Sequence, residues 1–321
     1  MTADLRALAP GDLPAIASGI ERWASEHPDR AAGLSAAAQA ELALASLAAD
    51  AEAGARLLLA GDADAGTVCG WTPLPWDSEV LGVPSARVSV LSWGGWDDAG
   101  AMRIGAVVGG AVREADASGA RLLVLRADAR DARAVPALED AGFRLADTLV
   151  TFATQRLEAP EDAARGVDAA EERDLDALRR IARGFRTGHF HADPRIPSAR
   201  AEDVYVRWIE NSLAGRADAV LVGRDERDAV EGFITCRMDR RRSASLPRPH
   251  GVIELVAADA AAQGRGVGGR LVAAALRWFA AQGAGSAEVG TQIDNLGAVR
   301  LYERSGFRIA GFSHTFHRWS P

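Results

Sequence analysis

Residues 251–270 read GVIELVAADAAAQGRGVGGR: an apolar strand over Gly251–Ala257, then Gln263-Gly264-Arg265-Gly266-Val267-Gly268-Gly269, then the start of a helix. Glycines let the backbone turn tightly and approach a ligand with no Cβ in the way. The first N–H groups of a helix lack intrahelical partners and carry partial positive charge, so the loop suits a pyrophosphate. Arg265 and Arg270 could add side-chain charge to the same anion. A glycine-rich turn holding nothing is the plainer alternative. Gly264, Gly266 and Gly269 also satisfy G-x-G-x-x-G, with Glu288 about 20 residues on, as a dinucleotide site requires. Too little sequence follows for the further βαβ units of such a sheet, so we do not expect one. No Gly-Lys-Ser/Thr follows the loop, which excludes a P-loop.

Working outward, the segment 268–307 aligns without a gap on 104–143, at an offset of 164 (Ser305 against Ala141). Each segment reads as an apolar helix, a glycine turn, a short strand, a second helix, and Gly-Phe opening a last strand. Leu271, Ala274, Ala275 and Trp278 form the helical stripe of one copy, and Val107, Ala111 and Ala115 that of the other. The pattern predicts an internal duplication. The copies differ where chemistry would sit. Before its helix the second copy has Gln263–Gly269 and the first has Asp97–Arg103, and where the second has Asn295 and Tyr302 the first has Asp131 and Leu138. The first copy therefore reads as degenerate, with a structural or substrate-framing role.

The boundary is expected near Leu157–Gly166, giving domains 1–157 and 158–321. The N-terminal stretch 11–60 reads as helical, with Asp12 as an N-cap and an alanine-rich run from Ser35 to Ala60. Trp71–Val83 (WTPLPWDSEVLGV) reads as a loop, as does Thr187–Ser198. Helices over 169–184 and 201–214 precede strands at 219–223 and 231–238. The mixed order indicates an α+β fold, a mixed α/β sheet packed by helices.

Strand, Gln263-x-x-Gly266-x-Gly268, helix, strand, then Asn295 seven residues before Tyr302, Gly-Phe and a last strand: this combination resembles the GNAT superfamily of acyl-CoA-dependent N-acetyltransferases. The resemblance implies tandem GNAT-like domains, the C-terminal copy catalytic, with acetyl-CoA as co-substrate. It puts the CoA pyrophosphate on Gln263, Gly264, Arg265, Gly266, Val267, Gly268 and Gly269. It puts the pantetheine arm on Leu255, Val256 and Ala257, with Asn295 and Tyr302 alongside. Pro75–Val83 and the segment Phe185-Arg186…Asp193…Tyr205-x-x-Trp208-x-x-Asn211-Ser212 are similar to the two-domain TDP-fucosamine acetyltransferase group. Val80 and Leu81 stand where that group has an aromatic pair, and Gly188-His189-Phe190-His191 departs from it.

Amide formation by direct attack in a ternary complex needs a neutral amine, a polarised carbonyl, a proton for the leaving thiolate and proximity. Tyr302 is the candidate acid, a phenol matching a departing thiolate, against the alternative of a tyrosine packing its helix. Asn295 either binds the pantetheine arm or caps the helix. Glu254 is the candidate base, against an ion-paired strand glutamate; His189 and His191 are also eligible. Arg186, His189, Arg195 and Trp208 are the candidate substrate contacts, arginine forks suiting a diphosphate. No acidic or cysteine partner clusters with the histidines, so no metal is expected.

The net charge of −7 argues against a nucleic-acid binder working by bulk phosphate attraction, leaving Arg237, Arg240, Arg241, Arg242 and Arg248 as a local basic cluster. Cys69 and Cys236 fall in opposite halves with no C-x-x-C neighbour, which supports neither a disulfide framework nor a zinc site. MTADLRAL lacks a signal-peptide pattern and no long uncharged apolar run occurs, so a cytoplasmic monomer or homodimer with no membrane partner is expected. The acceptor is expected to be a small-molecule amine, and the finer resemblance implies a dTDP-linked amino-deoxysugar. An amino acid, an antibiotic and a protein N-terminus are the alternative acceptors, and a non-catalytic acyl-CoA sensor is the alternative class.

Overall fold

The computed structural model describes residues 5–94, 97–132 and 134–320. The first half runs β1 (Leu5–Leu8), α1 (Ala17–Glu26), α2 (Ala36–Glu52), β2 (Arg56–Gly61), β3 (Gly66–Pro73) and α3 (Pro75–Leu81). It continues with β4 (Ser85–Trp93), α4 (Asp98–Ala117), β5 (Leu122–Asp128), α5 (Ala134–Asp140) and β6 (Arg144–Thr154). The second half runs β7 (Val167–Ala169), α6 (Leu175–Ala182), α7 (His189–Ala192), α8 (Ser198–Asn211), β8 (Ala219–Arg224) and β9 (Val230–Met238). It ends with α9 (Arg240–Ser243), β10 (His250–Ala258), α10 (Val267–Ala281), β11 (Ser286–Gln292), α11 (Leu296–Arg304) and β12 (Arg308–Trp319). The 164-residue offset carries β5 onto β11 residue for residue, and carries the last residue of α4 onto that of α10.

The chain forms two compact units: Met1–Asp29, Gly33–Thr148 and Phe312–Pro321 in one, Arg30–Ala32 and Leu149–Gly311 in the other. These units do not follow the linear division at 157/158, because sheets close by edge pairing and not by chain order. In the first unit the strand order is β1-β2-β3-β4-β5-β12. There β12 lies antiparallel to β5, from Trp319 opposite Leu122 to Ser313 opposite Asp128. In the second unit the order is β7-β8-β9-β10-β11-β6, with Thr154 opposite Ala287 and Leu149 opposite Gln292. The two ladders share one register under the offset. The last strand of each copy thus completes the sheet of the other.

Each sheet buries apolar side chains on both faces. In the first unit Ile104, Val107, Val108 and Ala111 of α4 pack beneath Val88 and Leu125, while Ile20 of α1 and Leu47 of α2 pack with Leu57, Leu59 and Trp93. In the second, Leu271, Ala275 and Phe279 of α10 bury with Val289 and Phe152, and Leu178 and Ile181 of α6 bury with Ile209, Phe233 and Leu255.

Three local expectations fail. Residues 56–60 are strand and not helix: α2 is capped by Ser35, whose Oγ accepts from Ala38 N–H at 3.2 Å, but stops at Glu52 before Gly54 at φ +92°. RLLLA then pairs with β3 and buries four residues in a row. The loop expected over Trp71–Val83 contains α3, opened by Pro75 and closed by Gly82 at φ +70°. The Ser78 hydroxyl donates to Leu74 C=O at 2.7 Å and accepts from Ser85 N–H at 2.8 Å, tying that helix to β4. Similarly, Thr187–Ser198 holds the short helix α7.

Candidate active site

Strands β10 and β11 are parallel, yet they pair only from His250–Ser286 to Ile253–Val289. Beyond that point β10 runs on to Ala258 held by β9, and β11 runs on to Gln292 held by β6. Their facing edges part, leaving backbone groups open to a ligand. Within this opened stretch the register of β10 against β9 shifts between Ile253 and Val256, so that Glu254 and Leu255 stand opposite Thr235 alone. This is a β-bulge, which bends the strand. The Thr235 hydroxyl accepts the Leu255 N–H at 2.9 Å. Strand alternation then turns the Val256 N–H the other way, into the opening.

The opening leads to a cleft of about 700 Å³, within the size usual for small-molecule sites. Val256 and Ala257 line it, as do Gln263, Gly264, Gly266, Val267, Gly268 and Gly269. Gly264 and Gly266 sit at φ +78° and +80°, a region that residues with a Cβ enter only at a cost. Gly266 is the N-cap of α10 and provides no side-chain cap, so the helix presents its first N–H groups to the cleft. A Cβ at Gly268 would stand 3.0 Å from Leu301, so its absence lets α11 close on α10. Arg265 and Arg270, expected to reach an anion, both turn to Glu231, at 3.0 and 2.8 Å.

Asn295 lines the cleft and also caps α11, its Oδ1 accepting from Ala298 N–H at 3.2 Å. Tyr302 is 2% exposed, packed against Phe152 and Phe307 at ring distances of 5.7 and 6.0 Å. Burial holds its phenol well above the usual tyrosine range. The cleft wall on α11 is formed by its neighbours Ala298 and Leu301. Glu254 is ion-paired: Arg237 Nε donates to Oε1 at 2.7 Å. Its Oε2 is buried with no hydrogen-bond partner among the described residues.

Of the expected substrate contacts, the structure brings Arg186 to the cleft, beside Phe185 and Thr187, with Glu202 at 3.1 Å. It does not bring the others there. The His189 ring lies tilted against Phe190 with centroids 3.9 Å apart, Arg195 is exposed, and Trp208 packs among core residues under the Arg216 guanidinium at 5.9 Å. Among the described residues no group of three or more His, Cys, Asp or Glu is arranged to hold a metal ion, and no helix is long and apolar enough to cross a membrane. The local basic cluster is largely paired: Arg237 to Glu254, Arg240 to Asp218 and Arg242 to Glu288. Sequence reading missed Arg304 and Ile181, which also line the cleft. Arg304 follows Leu301 by one helical turn, a spacing that could have flagged it.

The first unit provides an internal comparison. Its β3–β4 ladder runs without a register shift, and Val90 stands at the position of Glu254. Helix α4 begins at Asp98, so residues that form the glycine loop in one copy are helical in the other. Asp97 Oδ1 caps that helix by accepting from Gly100 N–H at 3.0 Å, putting a carboxylate where an anion would dock. Its cleft is bordered by Asp97, Asp98 and Asp140.

Comparison with known proteins agrees with this geometry. Residues 176–307 match the Acetyltransferase (GNAT) family. The chain is 30% identical over 184 residues to the dTDP-fucosamine acetyltransferase of Escherichia coli, covering 57% of this chain and 75% of that protein. It is 26% identical to the spore coat polysaccharide biosynthesis protein SpsD of Bacillus subtilis, covering 46% of this chain and 49% of that one. Among solved structures, a GCN5-related N-acetyltransferase from Sphaerobacter thermophilus superposes with a TM-score of 0.65 at 18% identity, over 98% of this chain and 95% of its own. A tandem GNAT protein from the clavulanic acid biosynthesis pathway gives 0.59 at 15% identity, over 99% of each chain.

Proposed function

This chain belongs to the GNAT acetyltransferase family, and on that premise we propose that it moves acetyl from acetyl-CoA to the primary amine of a nucleotide-linked amino-deoxysugar, of the dTDP class. The residues of the second copy fit acetyl-CoA. The parted edges of β10 and β11 suit an amide-bearing arm, and the uncapped start of α10 with its left-handed glycines suits a pyrophosphate. The observation that carries the assignment is the contrast between the copies: the bulge with its glutamate and the glycine loop occur together in one and are lost together in the other.

Bound acetyl-CoA supplies an activated acyl group on a thioester; the rest falls to the chain. The Val256 N–H donates toward the position of the acyl oxygen, as an oxyanion donor does. Glu254, with Oε1 fixed by Arg237, offers Oε2 to take a proton from the incoming ammonium. We assign the proton on the sulfur side to the Tyr302 phenol, which burial keeps protonated. Because burial makes it a weaker acid than a free tyrosine, its contribution is chiefly a donated hydrogen bond. Asn295 commits Oδ1 to α11 and keeps its amide N–H groups for the ligand.

The acceptor class rests on the identity to a dTDP-fucosamine acetyltransferase across three quarters of that protein, and on Arg186 at the cleft. The test is a panel of amines with acetyl-CoA, read by mass spectrometry for a gain of one acetyl. We expect acetylation of dTDP-4-amino-4,6-dideoxyhexoses. Acetylation confined to amino acids or antibiotics would overturn the sugar-nucleotide assignment and keep the family chemistry.

A further inference from the structure

Resting on the acyl-CoA reading of the glycine loop, we infer that Glu231 is a positioning residue that pre-shapes this loop, with Arg265 and Arg270 as its struts and not as ligands of the pyrophosphate. Glu231 is the second residue of β9, and its side chain is 8% exposed. Oε1 forms an ion pair with Arg265 Nη2 of the loop at 3.0 Å, and Oε2 accepts from Arg270 Nη2 of the first turn of α10 at 2.8 Å. Its backbone carbonyl accepts the Asp259 N–H at 2.7 Å, where the chain leaves β10 for the loop. One residue thus grips the segment 259–270 at its start, its middle and its end. The neighbouring Gly232 lets this grip close: a Cβ there would lie 2.7 Å from Ala257 C=O and 2.9 Å from Val267.

The arginines are held by the cost of leaving. If both swung out to a phosphate, a buried carboxylate would remain without a counter-charge, and breaking such a pair from one side is strongly unfavourable. The anion then falls to the backbone N–H groups of the α10 start, which are already aimed at it. The first copy agrees: the positions of Glu231, Arg265 and Arg270 carry Thr67, Ala101 and Ala106, so the staple is missing where the loop is missing.

The test measures KM for acetyl-CoA, KM for the acceptor and kcat in Glu231→Gln, with thermal unfolding alongside. A loop that must be ordered on binding loses affinity, so KM for acetyl-CoA should rise about ten-fold, with kcat and the acceptor KM unchanged. Glu231→Gln with Arg265→Gln and Arg270→Gln together should match Glu231→Gln alone; a further rise would show the arginines on the phosphate and overturn their role as struts. Unchanged or tighter binding in Glu231→Gln would overturn the inference, tighter binding meaning that Glu231 competes with the anion. Should Glu231→Gln unfold, Glu231→Asp, too short to reach both arginines, should give the same KM-only effect at smaller amplitude; a change in kcat alone would overturn it. Gly266→Val separates this inference from its premise. If that variant leaves acetyl-CoA binding unchanged, the loop reading itself fails; if it weakens binding while Glu231→Gln does not, only the staple fails.

Discussion

At Tyr302 the sequence alone could nominate a proton donor but could not see its surroundings. The phenol lies against Phe152 and Phe307, and burial raises its pKa. A group whose protonated form is favoured by the fold stays protonated through pH 10, and its stabilisation is lost only as pH rises beyond that. Ultraviolet difference titration of the wild type against Tyr302→Phe should show no tyrosinate from this residue at pH 10, and Tyr302→Phe should lower kcat roughly 10²-fold. His191 shows the opposite sign. Burial pulls its pKa down, Arg186 adds to that, and Glu202 opposes. The unfolded chain then binds this proton more readily, so stability should fall as pH drops below about 6.5. Chemical denaturation at stepped pH should show a shallower fall in His191→Gln; an unchanged slope would remove His191 as its source. Glu254 was legible as a strand carboxylate, while its pairing with Arg237 was not, because the two residues lie on different strands.

Among elements, the glycine loop and the helix after it were readable because glycine at positive φ and an uncapped helix start leave marks in sequence. The β-bulge was not readable: nothing in GVIELVA announces that Thr235 will take the Leu255 N–H. That hydrogen bond belongs to strand pairing, which a single strand does not encode. The failure at β2 has a similar origin, since RLLLA continues an alanine-rich helix in composition and only its pairing with β3 makes it a strand. Gly266→Ala forces a Cβ into the left-handed region, at about 1–2 kcal/mol, although open space surrounds the site. Acetyl-CoA affinity measured by calorimetry should fall by roughly ten-fold, which is that energy as a binding ratio, while Gly105→Ala on α4 of the first copy should leave it unchanged. Equal effects at both positions would count against a loop that works only in the second copy.

Across the whole molecule the duplication was legible as an offset of 164, but the exchange of final strands was not. A repeat records descent along the chain, whereas β6 and β12 are placed by which sheet edge each completes. The sequence boundary at 157/158 therefore cuts a strand from each compact unit. A fragment of residues 158–321 lacks β6, and so exposes the edge of β11 that faces away from β10. It should be recovered as aggregate, while a fragment beginning at Arg144 should gain solubility; equal solubility of the two would deny β6 its part in the second unit. The central claim is that one copy of a duplicated fold keeps the acetyl-CoA site and the other has lost it. Isothermal calorimetry of acetyl-CoA against the full chain tests this most directly. One site per chain is expected, removed by Gly266→Val and indifferent to Met102→Gly in the first copy. Two sites per chain, or binding that survives Gly266→Val, would contradict it.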